Sequence, residues 1–376
     1  MQEESAGLGV FFDSLLFALI EKDVEIIVFT EKRIKNRYLS IDKSKLKFIE
    51  IIPKKLTKFP RIIKKIYRLI WINLFLNKIL KKEKIKEFIS ITFESPLPIY
   101  KNIKYGIIIH DFNALYYSGR AFLLERIYLN IYLKFCLSKF DYIFVPSKST
   151  ALVVNKKYPN IFINKFNVIS EGFDRKEFYL PTENEKLLVR NLYNLPSEYF
   201  LYSGTLLEHK NLIILLKAMQ TIKLYYPSCQ LLIIGPSSDQ EINKMNEIIN
   251  VLSIKKNVQL LGYVPRNHLR SLMHCSNAFL FPSKSEGFGL SVLEAMASGS
   301  YIISSDSTSL PEVLGSAGES ISPDNLKVWV KFMKKSLEPK FISTKSKEKR
   351  LQAIERANLF SWDITAENIL NKIYES

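Results

Sequence analysis

Two glutamates, Glu286 and Glu294, stand eight positions apart in the stretch Pro282-Ser283-Lys284-Ser285-Glu286-Gly287-Phe288-Gly289-Leu290-Ser291-Val292-Leu293-Glu294. Carboxylates accept hydrogen bonds from hydroxyl groups, so the pair suits a hydroxyl-rich ligand. The apolar run Ala278 to Phe281 reads as a short buried strand. A glycine-bearing loop follows it, then a helix that ends at Gly299. A helix N-terminus behind such a loop is an anion site, because its unpaired N–H groups and its dipole face the loop. Glycines at 287 and 289 admit a ligand close to the backbone. A phosphate cradle flanked by hydroxyl acceptors points to a sugar nucleotide. An acidic turn before an ordinary helix is the plainer reading of Glu-Gly-Phe-Gly by itself.

Three other places carry residues of interest. In Gly204-Thr205-Leu206-Leu207-Glu208-His209-Lys210-Asn211-Leu212, Lys210 arrives at a helix start, where it could neutralise a diphosphate. As a lone residue it would be a solvated lysine. Tyr105-Gly106-Ile107-Ile108-Ile109-His110-Asp111-Phe112 places His110 at the carboxyl end of an apolar strand, where open α/β sheets bind ligands. A single histidine after a strand is more often structural. Gly7-Leu8-Gly9 precedes an amphipathic helix, roughly Phe12 to Glu21, a phosphate-loop pattern that is weak alone.

The elements that must position these residues alternate between strand and helix. Strands are expected at Glu25–Phe29, Leu46–Ile52, Phe88–Thr92, Lys104–Ile109, Tyr142–Val145 and Phe166–Ile169. A second alternation starts at Tyr199 and adds strands at Gln230–Ile234, Val258–Leu261, Ala278–Phe281 and Tyr301–Ser304. Such alternation implies parallel sheets covered on both faces. Residues 176–198, polar and holding Pro181 and Pro196, read as a linker. The chain therefore divides into an N-terminal Rossmann-like domain over 1–178, a second over 179–358, and a terminal helix within 359–376.

At 376 residues the chain can bury two full cores. Cys136, Cys229 and Cys275 show no metal-ligand spacing, and a reduced cytoplasmic setting fits them. No Asp-x-Asp pair occurs, and His110, His209, His268 and His274 form no ligand motif, so no metal and no cofactor are expected. The apolar stretch Leu69 to Asn77 is too short to span a bilayer. The net charge of +17 is uneven: residues 31–87 hold 19 Lys/Arg against 5 Asp/Glu. Within it, Arg61, Lys64, Lys65 and Arg68 share one helical face beside aliphatic and aromatic residues. A helix over residues 60–82 lying on an anionic membrane surface fits that pattern, and so does the solvated face of a core helix.

The stretch from Pro282 through Glu294-Ala295-Met296-Ala297-Ser298-Gly299 resembles the signature of the retaining glycosyltransferase family 4, also called group 1. Lys210-Asn211-Leu212, the strand-end His110-Asp111, Val145-Pro146-Ser147-Lys148-Ser149 and Ile169-Ser170-Glu171-Gly172-Phe173-Asp174 resemble its other motifs. The resemblance implies the α/β GT-B architecture, two Rossmann-like domains facing across a cleft, with the last helix crossing back to the first domain. It implies transfer of a hexose from a nucleotide-sugar donor to a saccharide or lipid-linked acceptor with retention of configuration, in cell-surface polysaccharide synthesis on the inner face of the cytoplasmic membrane. Gly204-Thr-x-x-Glu-x-Lys210-Asn211 favours relatives that use GDP-mannose. By the same resemblance Glu286, Lys210 and His110 are catalytic. Glu286 would hold the donor sugar with the backbone N–H groups of Gly287, Phe288 and Gly289, and Leu290 would follow at the helix start. Glu294 would hold the ribose, and Tyr263 and Val264 would frame the base. Gly7, Gly9 and Gly204 would line the donor, and Ser309 and Leu310 would add backbone donors. Many relatives carry arginine where His209 stands, and others where Thr205 stands. One fixed cation is then missing, and Lys284 or a protonated His209 is a candidate replacement.

Other readings weigh less. An epimerase of the same two-domain shape does not need the Glu286/Glu294 pair. A nucleic-acid binder needs basic residues interleaved with aromatics on one platform, whereas this charge lies on one helix and linker, so no nucleic-acid partner is expected. A defective, nucleotide-binding paralogue is motivated by the start of the chain. The family's glycine loop follows a first, central strand, and only six residues, four of them polar, precede Gly7. The expectation is that this strand comes from an upstream start, or that the product is truncated.

Overall fold

The computed structural model describes residues 7–30, 45–50, 67–68, 70–93, 95–111, 130–131, 134–159, 161 and 165–375. The chain forms two compact units. One comprises Met1–Pro146, Thr150–Ser170 and Trp362–Ser376, the other Ser147–Ser149 and Glu171–Ser361.

The first unit carries strands β1 (Ile26–Thr30), β2 (Leu46–Glu50), β3 (Glu87–Ser90), β4 (Lys104–Ile108), β5 (Tyr142–Val145) and β6 (Phe166–Val168). β1 and β2 pair in parallel, and β3-β4-β5-β6 form a separate parallel sheet. Among the described residues no strand joins β1 to β3, although Phe29 and Phe88 bring their rings to 6.2 Å. β5 is buried along its whole length, as its unbroken apolar run predicts for a parallel strand covered on both faces. The helix Gly7–Ile20 packs on the terminal helix Trp362–Tyr374 through Phe11 against Trp362 and through the Lys22–Glu367 pair at 2.6 Å.

The second unit holds one continuous parallel sheet, in the order β12-β11-β10-β7-β8-β9. Its strands are β7 (Tyr199–Ser203), β8 (Gln230–Ile234), β9 (Val258–Gly262), β10 (Ala278–Phe281), β11 (Ile302–Ser305) and β12 (Glu319–Ile321). β10 is fully buried between β7 and β11. Its carboxyl end therefore lies beside that of β7, which brings the loops after Ser203 and after Phe281 together.

Most expected strands fall within one or two residues of these bounds, the usual latitude of strand ends. Three expectations are corrected. Gly7 and Gly9 lie inside the first turn of the helix, and a Cβ at Gly9 would meet nothing within 4 Å, so no close approach requires a glycine there. The polar stretch 176–198 contains the helix Glu183–Leu192. Thr182 accepts from the N–H of Glu185 while the Glu185 carboxylate accepts from the N–H of Thr182 at 2.8 Å, a reciprocal cap that starts a helix in polar sequence. β12 is an additional short strand. Arg61, Lys64, Lys65 and Leu69 of the basic stretch, Ile51 and Ile52 of an expected strand, and Phe112 lie outside the described residues.

Among the described residues no helix is long and apolar enough to cross a membrane.

Candidate active site

The site grows from the carboxyl ends of β7 and β10. After Phe281 the chain turns through Ser283 to Gly289 and enters the helix Leu290–Ala297, which ends with Gly299 at φ +68°. Gly289 takes φ +116°, and a Cβ there would lie 2.7 Å from Leu310 Cδ2, so the turn into the helix needs glycine on both counts. On the β7 side, Gly204 passes under Gly235. A Cβ on Gly235 would fall 2.1 Å from the Gly204 carbonyl oxygen, and one on Gly204 would fall 2.7 Å from Tyr202 Oη.

A short 3-10 turn, Glu208–Lys210, follows, then Asn211 in the left-handed region, then the helix Leu212–Ile222. Lys210 Nζ reaches Glu286 Oε1 at 2.7 Å and also sits 5.4 Å from the centre of the Phe281 ring. Both partners of this pair are largely buried, at 16% and 11% side-chain exposure. A cation and a carboxylate, 76 positions apart in sequence, thus meet before a helix N-terminus. Such an array can hold a diphosphate on one side and sugar hydroxyls on the other.

Hydroxyl groups strap the loop that carries Glu286. Its N–H donates to Thr308 Oγ1 at 2.9 Å, and its carbonyl accepts from Ser309 Oγ at 3.1 Å. Ser309 Oγ also reaches the Phe288 carbonyl at 2.7 Å, and Ser147 Oγ donates to the Gly287 carbonyl at 2.9 Å. The N–H of Lys284 donates to the His209 carbonyl at 2.7 Å, tying the two strand-end loops together. Asn211 Nδ2 adds bonds to the carbonyls of Pro282 and Pro323. Each strap fixes a backbone dipole in place before any ligand arrives.

Glu294 projects from the second turn of the helix and pairs with a different cation, Arg266 Nη2, at 3.0 Å. Its side chain is 12% exposed, and burial pushes its carboxyl above the usual range, with Arg266 opposing the rise and Asp174 adding to it. Tyr263 follows Gly262 and is 69% exposed, a free ring face for stacking, whereas Val264 is buried.

The sequence-predicted residues thus divide. Lys210, Glu286, Gly287, Phe288, Gly289, Ser309 and Leu310 meet at one loop, with Gly204, Tyr263, Val264, Leu290 and Glu294 in the same unit. Ser309 and Leu310 were expected to offer backbone N–H groups. Instead the Ser309 hydroxyl straps the loop, and the Leu310 N–H donates to the Ser307 carbonyl at 3.2 Å. Lys284 Nζ pairs with Asp324 at 2.7 Å, and His209 is buried. His110, Gly7 and Gly9 belong to the other unit. There His110 Nε2 lies 3.2 Å from the Ile91 carbonyl, with its ring edge to face against Phe11. Sequence reasoning missed Arg266, because an arginine at a helix start gives no local signal; Asn211 was read only as part of a motif and Thr308 only as a backbone donor, without the side-chain bonds they make.

Comparison with known proteins agrees with this geometry. The profile of the family described as "Glycosyl transferases group 1" matches residues 184–358. The chain is 27% identical over 238 residues to the O-antigen chain mannosyltransferase RfbU of Salmonella typhimurium, covering 63% of this chain and 62% of that protein. It is 31% identical over 202 residues to the O-antigen chain mannosyltransferase B of Escherichia coli, covering 51% of this chain and 50% of that protein. The matches thus span between half and two thirds of these relatives' own lengths. Among solved structures, a sucrose-phosphate synthase from Thermosynechococcus elongatus superposes with a TM-score of 0.79 at 20% identity, over 99% of this chain and 94% of that one. The fold is therefore the α/β GT-B class, and residues 184–358 match the profile of the glycosyl transferases group 1.

Proposed function

We propose that this protein transfers a hexose from a nucleotide sugar to a saccharide or lipid-linked acceptor in cell-surface polysaccharide synthesis, with GDP-mannose the favoured donor. The observation that carries the reading is the Lys210–Glu286 pair on the strapped loop at the head of the helix Leu290–Ala297. Lys210 and the helix N-terminus neutralise the diphosphate as it leaves, and Glu286 accepts hydrogen bonds from the hydroxyls of the sugar. Glu294 holds the ribose, and the Tyr263 ring covers the base. The acceptor hydroxyl attacks from the face the diphosphate departs, and its proton passes to a phosphate oxygen, so configuration is retained. His110 is the further residue assigned to act on the sugar. The charge on the leaving group is met by Lys210 and backbone dipoles, so turnover does not depend on a metal. The preference for mannose draws on the similarity to the two O-antigen mannosyltransferases.

The acceptor side is proposed to work on the anionic inner face of the cytoplasmic membrane. Tyr67, Ile70, Leu74 and Phe75 are exposed large apolar side chains next to Arg68, Lys78, Lys81 and Lys82. That is the composition of a helix that sits in a headgroup layer.

The test is release of free nucleotide from a panel of GDP- and UDP-sugars, with and without lipid-linked acceptors. Acceptor-dependent release of GDP from GDP-mannose, lost in Glu286→Gln, is the expected result. Nucleotide binding without release from any donor would replace the reading by a binding protein without turnover.

A further inference from the structure

Arg266 has no role in the reaction described so far, and its position is unfavourable for a purely local reason. It is the first residue of the helix Arg266–Cys275, preceded by Pro265, and no side chain caps that helix start. A positive charge there faces the positive end of the helix dipole. Something outside the helix must compensate, and the contacts name it. Arg266 lays its guanidinium over the ring of Phe178, 5.1 Å from the centroid, and points Nη2 at Glu294 Oε1, 3.0 Å away. Phe178 is itself buried, so the guanidinium has a fixed platform. A planar cation on an aromatic face with one edge on a carboxylate is an arrangement in which lysine is not equivalent.

We infer that Arg266 is a positioning residue for nucleotide recognition: it holds the Glu294 carboxylate in its ionised form and in one orientation, so that both oxygens can accept from vicinal hydroxyls of the ligand. The inference rests on the reading that Glu294 contacts the ribose. An ionised carboxylate only accepts, whereas a protonated one carries a hydrogen that conflicts with a hydroxyl donor. Glu294 needs the help, since burial raises its pKa.

The charged groups around Glu294 are few. From the helix Arg266–Cys275 it is Arg266, and from the loop before Glu177 it is Asp174, which acts in the opposite sense. Glu312 of the helix Leu310–Leu314 is engaged by the N–H groups of Lys148 and Ser149. Arg350 and Arg356 of the helix Lys347–Ala357 bind carbonyls of His274, Gly299, Ser276, Val313 and Glu312. Arg266 is thus the cation that lowers the Glu294 pKa. Without it the carboxylate takes up a proton at a higher pH, and nucleotide binding fails on the acid side earlier.

The experiment measures the dissociation constant of GDP between pH 5.5 and 9 for the parent, Glu294→Gln, Arg266→Gln, Arg266→Lys and the Arg266→Gln/Glu294→Gln double variant, each checked by circular dichroism. In the parent, binding weakens as pH falls. In Arg266→Gln that limb moves up by about one pH unit, so binding is roughly tenfold weaker at the acid end and within about twofold of the parent at pH 9. Arg266→Lys recovers part of the shift. Glu294→Gln is weaker at all pH values and keeps only the limb set by protonation of the GDP diphosphate, and adding Arg266→Gln to it changes nothing further. A loss in Arg266→Gln by the same factor at every pH, or a further loss in the double variant, would overturn the role of Arg266 and leave the ribose contact standing. Unchanged GDP binding in Glu294→Gln would overturn the contact itself. If Arg266→Gln does not fold, the parent and Arg266→Lys decide: an identical acid limb in the two overturns the proposal.

Discussion

The carboxyl ends of β10 and β4 both finish a buried parallel strand, yet the described side chains there make different contacts. Around Glu286 the hydroxyl of Ser309 lies between the carbonyls of residues 286 and 288, that of Ser147 donates to the carbonyl of 287, and the Glu286 N–H donates to Thr308. After β4, His110 Nε2 lies 3.2 Å from the Ile91 carbonyl and its ring packs nearly perpendicular to that of Phe11. The first arrangement fixes a set of dipoles and one ion pair, which is what stabilising charge on a departing diphosphate requires. Among the described contacts, the second orients the ring of His110. The unit with His110 also presents exposed apolar and basic side chains between Tyr67 and Lys82. In the proposed function the first unit recognises the donor, and the other meets the acceptor.

The sharpest way to break this comparison is Glu286→Gln. Its partners are Lys210 and, in the proposed reaction, sugar hydroxyls, so the loss belongs to the transition state. About 3 kcal/mol, or roughly a hundredfold in kcat, is expected, with donor KM little changed. Steady-state kinetics with the true donor checks it, and equal turnover in variant and parent would remove Glu286 from the chemistry.

A second test addresses the other unit. Co-sedimentation with anionic vesicles should fade as salt rises, because surface attraction is screened over about 8–10 Å at ordinary ionic strength. Replacing Arg61, Lys64, Lys65 and Arg68 by Gln should release the protein, each basic residue contributing about 1 kcal/mol near the surface. Binding that ignores salt, or none in the parent, would return the stretch to an ordinary helix face.

The third change is structural. Thr182→Ala removes a capping box at the start of the helix Glu183–Leu192 and should cost about 1 kcal/mol. The melting temperature should fall by about 2–4 °C, while turnover at 25 °C stays at the parent level. A melt unchanged from the parent would mean that this helix start contributes nothing to cooperative unfolding. The smallest expected effect is that of a chelator: millimolar EDTA should leave turnover where it was. Abolition by EDTA with recovery on adding a divalent ion would replace Lys210 as the principal counter-charge.

Much of the candidate site is legible in the residues themselves, and for one reason. A strand of four apolar residues, a turn that needs glycine at φ +116°, and a helix closed by Gly299 are short-range structures, decided by backbone sterics and hydrogen bonding among near neighbours. The helix after Thr182 was equally local, since Thr182 and Glu185 spell its cap, but Pro181 and the polar composition disguised it as a linker. The partners of the two glutamates are another matter. Lys210 meets Glu286 across 76 positions because β7 and β10 are neighbours in the strand order β12-β11-β10-β7-β8-β9. Arg266 meets Glu294 because the helix Arg266–Cys275 packs beside the helix Leu290–Ala297. Chain composition determined which residues could carry charge and which loops could approach a phosphate. Which cation faces which carboxylate depends on strand order and helix packing, where each pairing is decided by burial summed over the whole unit.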